Sequence, residues 1–283
     1  MTIDLTPLAT LYDVALGDEL PFPIDLAALY GPLRLPRPKA RPYVVGNFVT
    51  TLDGVVSLNT PGRAGGGEIS GFNQHDHMVM GMLRAVADAV IVGVGTLRAS
   101  PQHLWIAEYI YRPLAEVYQA LRSNLGKTEP PLNVIVTAHG EFDVHLPVFQ
   151  SERIPVLIVT TTNGERHLRM QNLPAWIQIA AVQGAGLLSA RSVLEAVARV
   201  RRCKVILTEG GPHLIGDFFA EKCLDELFLT LAPQVAGRDD SIERPGLVAG
   251  KAFAPDQALW GRLISLKRGG DHLFLRYAFE SMP

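Results

Sequence analysis

Four short runs of β-branched and aliphatic residues, Ala89–Val94, Leu132–Thr137, Val156–Thr160 and Val205–Thr208, set the tightest limit on what this chain can fold into. They lack the apolar–polar alternation of a strand with one wet face, so each suits a strand covered on both faces. Helical stretches separate them, best seen at Arg112–Leu121, Glu165–Met170 and Ala190–Val200. Strands alternating with helices in this way build a parallel sheet. Upstream, Tyr43–Thr50 reads as a further strand ending at the turn signal Asp53-Gly54, and residues 61–67 as a flexible glycine-rich loop. A helix is expected from Asn73 to Ala87, with Met78, Met82, Leu83 and Val86 as its apolar stripe. Downstream, a helix near Leu214–Lys222 leads into Leu224–Leu231. The runs Leu259–Leu266 and His272–Phe279, joined across Gly269-Gly270, read as a hairpin. The predicted class is α/β: a mostly parallel central sheet, helices on both faces and an antiparallel C-terminal edge hairpin.

The 283 residues suit one large α/β domain. Residues 1–40 read as an N-terminal extension with one short helical pattern, Ile24–Tyr30, and a connector stiffened by Pro32, Pro36 and Pro38. Residues 41–283 are the simplest single domain. Hydrophobic residues at 48% against 19% charged supply a sizeable core. A net charge of −2 with no long basic run gives nucleic-acid binding no support. Any anionic ligand must then be held locally, by helix N-termini and single arginines. Cys203 and Cys223 have no metal-type spacing and read as reduced structural thiols. His75 and His77, two apart, point different ways on a helix, so no metal site is expected. The first 20 residues lack the basic and apolar regions of a signal peptide, and no stretch is apolar over the roughly 18 residues a membrane helix needs. The expectation is a cytoplasmic protein.

Three constellations carry chemistry. In Thr208-Glu209-Gly210-Gly211-Pro212-His213-Leu214-Ile215 a buried strand ends in two glycines and a helix starts at once. Such a turn lets a ligand approach the backbone, and the new helix offers N–H groups to a phosphate. Pro212 suits the first turn, and Glu209 falls at the carboxyl end of its strand, where open α/β sheets place ligands. The alternative is an ordinary strand–helix turn with a solvated glutamate. In Gly93-Val94-Gly95-Thr96-Leu97-Arg98 a strand again ends in glycines, with a hydroxyl and a guanidinium to follow. A dinucleotide fingerprint would need a third, correctly spaced glycine, so a Rossmann site is disfavoured and Arg98 can equally be a solvated loop residue. Thr50-Thr51-Leu52-Asp53-Gly54 is either a plain turn or a carboxylate set at the ligand end of the sheet.

These stretches, taken in order, resemble the reductase domain of the bifunctional riboflavin-biosynthesis deaminase/reductase and its stand-alone relatives. Thr51-Leu52-Asp53-Gly54 is similar to that family's Ser-Leu-Asp-Gly, and Leu83-Arg84-Ala85 to its Leu-Arg-Ala. Asp88–Gly93, Gly95-Thr96-Leu97, Glu209–Pro212, Asp225-Glu226 and Ala232-Pro233 with Gly237 follow in register. The resemblance implies a dihydrofolate-reductase-like fold, NADPH as cofactor, a homodimer, and hydride transfer to the ribosyl first carbon of a phosphorylated ribosylamino-pyrimidine. By position, Thr50, Thr51, Gly93, Gly95, Thr96, Ser100, and Gly210 through Pro212, His213, Leu214 and Ile215 fall to the cofactor. Arg98 and His139 are candidates for its 2′-phosphate. Arg84, Leu104 and Glu209 fall to the substrate, with Asp53 and Glu209 as catalytic candidates for positioning it or relaying a proton.

The chain also departs from the family. Ala99-Ser100-Pro101-Gln102 stands where Ala-Asp-Asp-Pro is common, Trp105-Ile106-Ala107 where an arginine often follows, and Glu68 where a tryptophan precedes the Ile69-Ser70-Gly71 turn. The His-x-Glu and Pro-Cys-x-x-Cys of the deaminase partner are absent from the sequence. Two other readings therefore stay open: a dihydrofolate, pteridine or other heterocycle reductase of the same fold, and a non-catalytic NADPH-binding regulatory module.

Overall fold

The computed structural model describes residues 5–38, 40–182, 188–239 and 241–279. Ten strands form one sheet: β1 (Ala9–Asp13), β2 (Tyr43–Thr50), β3 (Ala89–Gly93), β4 (Leu132–Val136), β5 (Val156–Thr161), β6 (Gln178–Val182), β7 (Val205–Thr208), β8 (Glu226–Leu231), β9 (Arg262–Gly269) and β10 (His272–Ala278). Their order across the sheet is β1-β9-β10-β8-β2-β7-β3-β4-β5-β6. From β8 to β6 every pairing is parallel, and from β8 to β1 every pairing is antiparallel. The expected mostly parallel sheet with an antiparallel C-terminal hairpin is therefore present, with two further strands that the sequence reading did not name: β1 on the hairpin's outer side and β6 at the opposite, parallel edge.

The helices that position the site are α1 (Ile24–Tyr30), α2 (Gln74–Val86), α3 (Val94–Ala99), α4 (Ala115–Asn124), α5 (Thr162–Arg169), α6 (Ala190–Val200) and α7 (Pro212–Ala220). Alternate strand residues point to opposite faces. Val45, Val90, Val92, Ile135 and Leu207 meet Met78 and Met82 of α2, Leu121 of α4 and Leu26 and Leu29 of α1. Val44, Ala89, Ile91, Val134 and Ile206 meet Val193 and Val197 of α6 and Ile215 and Phe218 of α7. Where α2 crosses α4, a Cβ on Gly81 would come within 2.6 Å of the Tyr118 ring, so only glycine permits that approach.

The N-terminal segment does the work of a missing layer. Strands β8 and β10 have no crossover helix on one face, and there Phe228 and Phe274 pack with Leu8, Leu26, Leu29, Tyr30, Leu33 and Leu35. Beneath this cover Arg276 and Glu226 form a buried ion pair at 2.6 Å, and the Arg276 guanidinium also donates to the Arg34 carbonyl at 3.0 Å. The glycine-rich stretch 61–67 is not all loop: a short helix, Gly66–Ser70, starts inside it and ends at Gly71 with φ +62°. Burial of Ile69 with Val49, Val55 and Ala232 supplies the packing that overrides the glycines.

Candidate active site

Strands β8, β2, β7 and β3 lie side by side and parallel, so their carboxyl ends form one edge. Along it fall the three constellations, after β2, β7 and β3. The Glu209 N–H still donates to the Ile91 carbonyl at 2.9 Å, which carries the ladder one residue past β7 and fixes where the carboxylate leaves the sheet. That carboxylate meets Arg84, from the last turn of α2. Arg84 Nη2 donates to Oε2 at 2.7 Å and Nε to both oxygens at 3.1–3.2 Å, with side-chain exposures of only 2% and 7%. Arg84 Nη1 is directed to the carbonyls of Leu104 (3.3 Å) and Ile106 (3.5 Å). Arg84, Leu104 and Glu209, assigned together to the substrate, are thus joined into one unit. Leu104 enters it through its backbone, and the Arg84 guanidinium is closed onto its protein partners.

The segment bearing Leu104 is held from below by Asn133, fully buried in β4, which exchanges hydrogen bonds with the backbone of Trp105 at 3.2–3.3 Å. Beside it the His103 ring packs on Trp105 and Tyr109, at 5.3 and 5.0 Å between centroids. Burial first, and then the nearby Arg84 charge, hold the His103 imidazole down at about 2. Burial likewise lowers His77, on α2, and raises its neighbour Asp76. His103, Asn133 and Asp76 had no motif to reveal them in the sequence.

The two glycine turns touch. A Cβ on Gly93 would stand 4.0 Å from the Gly211 nitrogen, and a Cβ on Gly211 would stand 3.6 Å from Thr96 Oγ1. Gly93 and Gly211 are the N-caps of α3 and α7, and neither helix start receives a side-chain cap. Asn73 caps α2, Thr161 caps α5, and Ser189 with Ser192 makes a capping box on α6, whereas α1 and α4 also start without a side-chain cap. Gly95 faces open space. Gly210 packs against Leu214, and Pro212 opens α7 as the sequence suggests. His213 is exposed on the first turn, whereas Leu214 and Ile215 lie in the core with Ile206. Arg98 is directed to the Glu141 carbonyl at 2.5 Å, and Ser100 Oγ lies where a Cβ on Gly65 would come to 3.2 Å. His139 follows β4, two strand positions from β7 on the same edge.

At the end of β2, Thr50 and Thr51 are buried. The Thr51 hydroxyl donates to Asp53 at 2.6 Å and accepts from the Val55 N–H at 2.9 Å. The Asp53 carboxylate also accepts from the N–H groups of Ala236 (3.1 Å) and Gly237 (2.8 Å), across the loop after β8. Thr51 first, and then these amides, lower the Asp53 carboxyl to about 2. The turn after β2 and the loop after β8 are further tied by Leu52 N–H to Gln234 O and Val56 N–H to Pro245 O.

The RibD C-terminal domain family model matches residues 42–256. The chain belongs to that family. A curated member from Archaeoglobus fulgidus, named a 2,5-diamino-6-ribosylamino-4(3H)-pyrimidinone 5′-phosphate reductase, is 28% identical over 75% of this chain and 89% of its own. A pyrimidine reductase-like protein from Corynebacterium diphtheriae superposes with a TM-score of 0.66 at 21% identity, covering 84% of this chain and 92% of that one. Acinetobacter baumannii RibD superposes at 0.63 and 17% identity over 85% of this chain, which spans 58% of that longer protein. The fold is thus that of the RibD reductases, and the chain is an oxidoreductase of the RibD C-terminal domain family. Among the described residues no group of three His, Cys, Asp or Glu could hold a metal, and no helix is long and apolar enough to cross a membrane.

Proposed function

We propose that this protein is an NADPH-dependent pyrimidine reductase of riboflavin biosynthesis, acting on a phosphorylated ribosylamino-pyrimidine as a homodimer in the cytoplasm. One observation carries the reading: the buried Arg84–Glu209 unit and the paired, uncapped glycine turns share one edge of the sheet. Uncapped helix starts with an open Gly95 and a hydroxyl at Thr96 fit the pyrophosphate of a dinucleotide. When bound, NADPH supplies the hydride, which passes to the first carbon of the open-chain imine as a proton reaches the imine nitrogen.

The chain's residues bind, orient and move the proton. Gly93, Gly95, Thr96, Gly210, Gly211 and the first turn of α7 cradle the cofactor through backbone and hydroxyl groups. Leu214 and Ile215 shape that turn from the core rather than by side-chain contact. Thr50 and Thr51 floor the site, and Ser100 lines its rim. Arg84 positions Glu209, and Glu209 orients the sugar and passes the proton. Asp53, ionised at neutral pH and committed to Thr51, Ala236 and Gly237, acts as the clasp between two loops that shape the pocket.

The Archaeoglobus relative is named for a diamino pyrimidinone, so the pyrimidine still carrying its second amine is a candidate beside the deaminated one. The test supplies each pyrimidine phosphate, and dihydrofolate, to purified protein with NADPH and follows the loss of its near-ultraviolet absorbance. Turnover of either pyrimidine supports the reading and selects the substrate. Turnover of dihydrofolate alone replaces it with a pteridine reductase, and binding of NADPH with no turnover supports a regulatory module.

A further inference from the structure

We propose that Arg238 is a phosphate ligand, presenting its guanidinium to a phosphate monoester at the mouth between the Asp53-Gly54 turn and the loop after β8. Backbone carbonyls fix its plane: Nε donates to Arg244 O at 3.1 Å and Nη1 to Asp53 O at 2.8 Å. The Nη2 edge is turned toward Gly54, where a Cβ would stand 4.0 Å away and φ is +80°. The side chain as a whole is 44% exposed.

Among the described residues its ion pairing is long. Asp53 Oδ2 lies 3.9 Å off and is already bound by the Gly237 N–H at 2.8 Å. Asp239 is turned to the N–H and hydroxyl of Ser241, at 2.9 and 2.5 Å. Arg244 adds a second positive charge beneath the loop, donating to the carbonyls of Ala236 and Gly237. Elsewhere on this edge, Arg84 is closed on Glu209 and Arg63 pairs with Glu68 at 3.2 Å, while Arg98, held by the single Glu141 carbonyl, has one fewer fixed N–H group than Arg238. A guanidinium pre-set by two carbonyls loses little freedom when its remaining N–H groups meet phosphate oxygens, and such charge-assisted bonds are the strong kind.

Strand β8, which leads into this loop, lies two strand spacings from β7, about 10 Å across the sheet from the Gly210-Gly211 turn. That offset suits a phosphate at the far end of a bound molecule. It can belong to a sugar 5′-phosphate or to the 2′-phosphate of a dinucleotide. Which of the two rests on the proposed reductase reading; that a phosphate monoester binds here does not.

The experiment measures binding of ribose 5-phosphate against ribose, and NADPH against NADH, by calorimetry with the full chain and with Arg238→Ala and Arg238→Lys. The expected result is that Arg238→Ala weakens the phosphate-bearing member of one pair by about tenfold or more, leaves its partner within about twofold, and is partly rescued by lysine. The pair affected names the source of the phosphate. Should Arg238→Ala fail to fold, Arg238→Gln carries the same comparison. The proposal is overturned if both members of a pair weaken alike, if neither changes, or if the unaltered protein shows no preference for the phosphate-bearing member of either pair. A failure of pyrimidine turnover, by contrast, would sink the reductase reading and leave these binding results standing.

Discussion

Arg84 and Glu209 neutralise each other where water hardly reaches them. Removing one partner strands a buried charge, so Arg84→Met should destabilise the protein by about 3–5 kcal/mol in denaturant titration. Glu209→Gln keeps shape and some hydrogen bonding but leaves the buried Arg84 charge unpaired, so it should lower stability in the same titration as well as kcat. Asp53 makes a separate prediction through pH. Its folded carboxyl sits at about 2 against an ordinary 3.8, so its contribution is complete above 3.8 and is lost as pH falls through 2. The Tm difference between the parent and Asp53→Asn should therefore be level above pH 3.8 and shrink between there and pH 2. Both carboxylates were legible in the sequence because each ends a strand beside glycine. What each one touches was not, since Thr51, Ala236 and Gly237 meet only when β2 and β8 pair.

Among the elements, the glycine turns were the most legible and the segment 99–107 the least. A Cβ at Gly95 meets nothing within 4 Å. Gly95→Ala should leave the fold intact or raise stability by about 0.5–1 kcal/mol, yet weaken NADPH binding if the cofactor's phosphates approach there. At Gly210 an added Cβ would lie 2.5 Å from Leu214 Cδ2, so Gly210→Ala should cost about 1–3 kcal/mol in the same titration. In segment 99–107 sequence could show a departure from the family but not its purpose. Its shape depends on Asn133, a buried polar residue inside an otherwise apolar strand pattern. His103 in this segment stays neutral in the fold, at about 2 against an ordinary 6.5, while the unfolded chain takes up the proton. That difference opposes folding increasingly as pH falls below 6.5. His103→Phe should flatten the acid side of the stability profile, read as Tm against pH.

At the scale of the whole molecule, the parallel half of the sheet, apart from its half-exposed edge strand β6, followed from sequence, because each buried strand is chained to a crossover helix. The N-terminal segment did not. Strand β1 carries no apolar alternation and pairs with β9 more than 250 residues away, Ala9 against Arg268. Its partner in function is the uncovered face of β8 and β10, which no local pattern announces. Deleting residues 1–37 should expose Phe228, Phe274 and the Arg276–Glu226 pair, and give a protein that binds a hydrophobic dye and aggregates on sizing. In the proposed reading, the glycine turns and the Arg84–Glu209 unit form one reductase site. The most direct test of that reading is label transfer. The protein is incubated with a phosphorylated ribosylamino-pyrimidine and NADPH carrying deuterium at the transferable C4 position, and the product is read by mass spectrometry and NMR. One deuterium at the first carbon of the ribityl chain is predicted, lost in Glu209→Gln. A product formed without that label, or no product from any pyrimidine phosphate, would contradict the account.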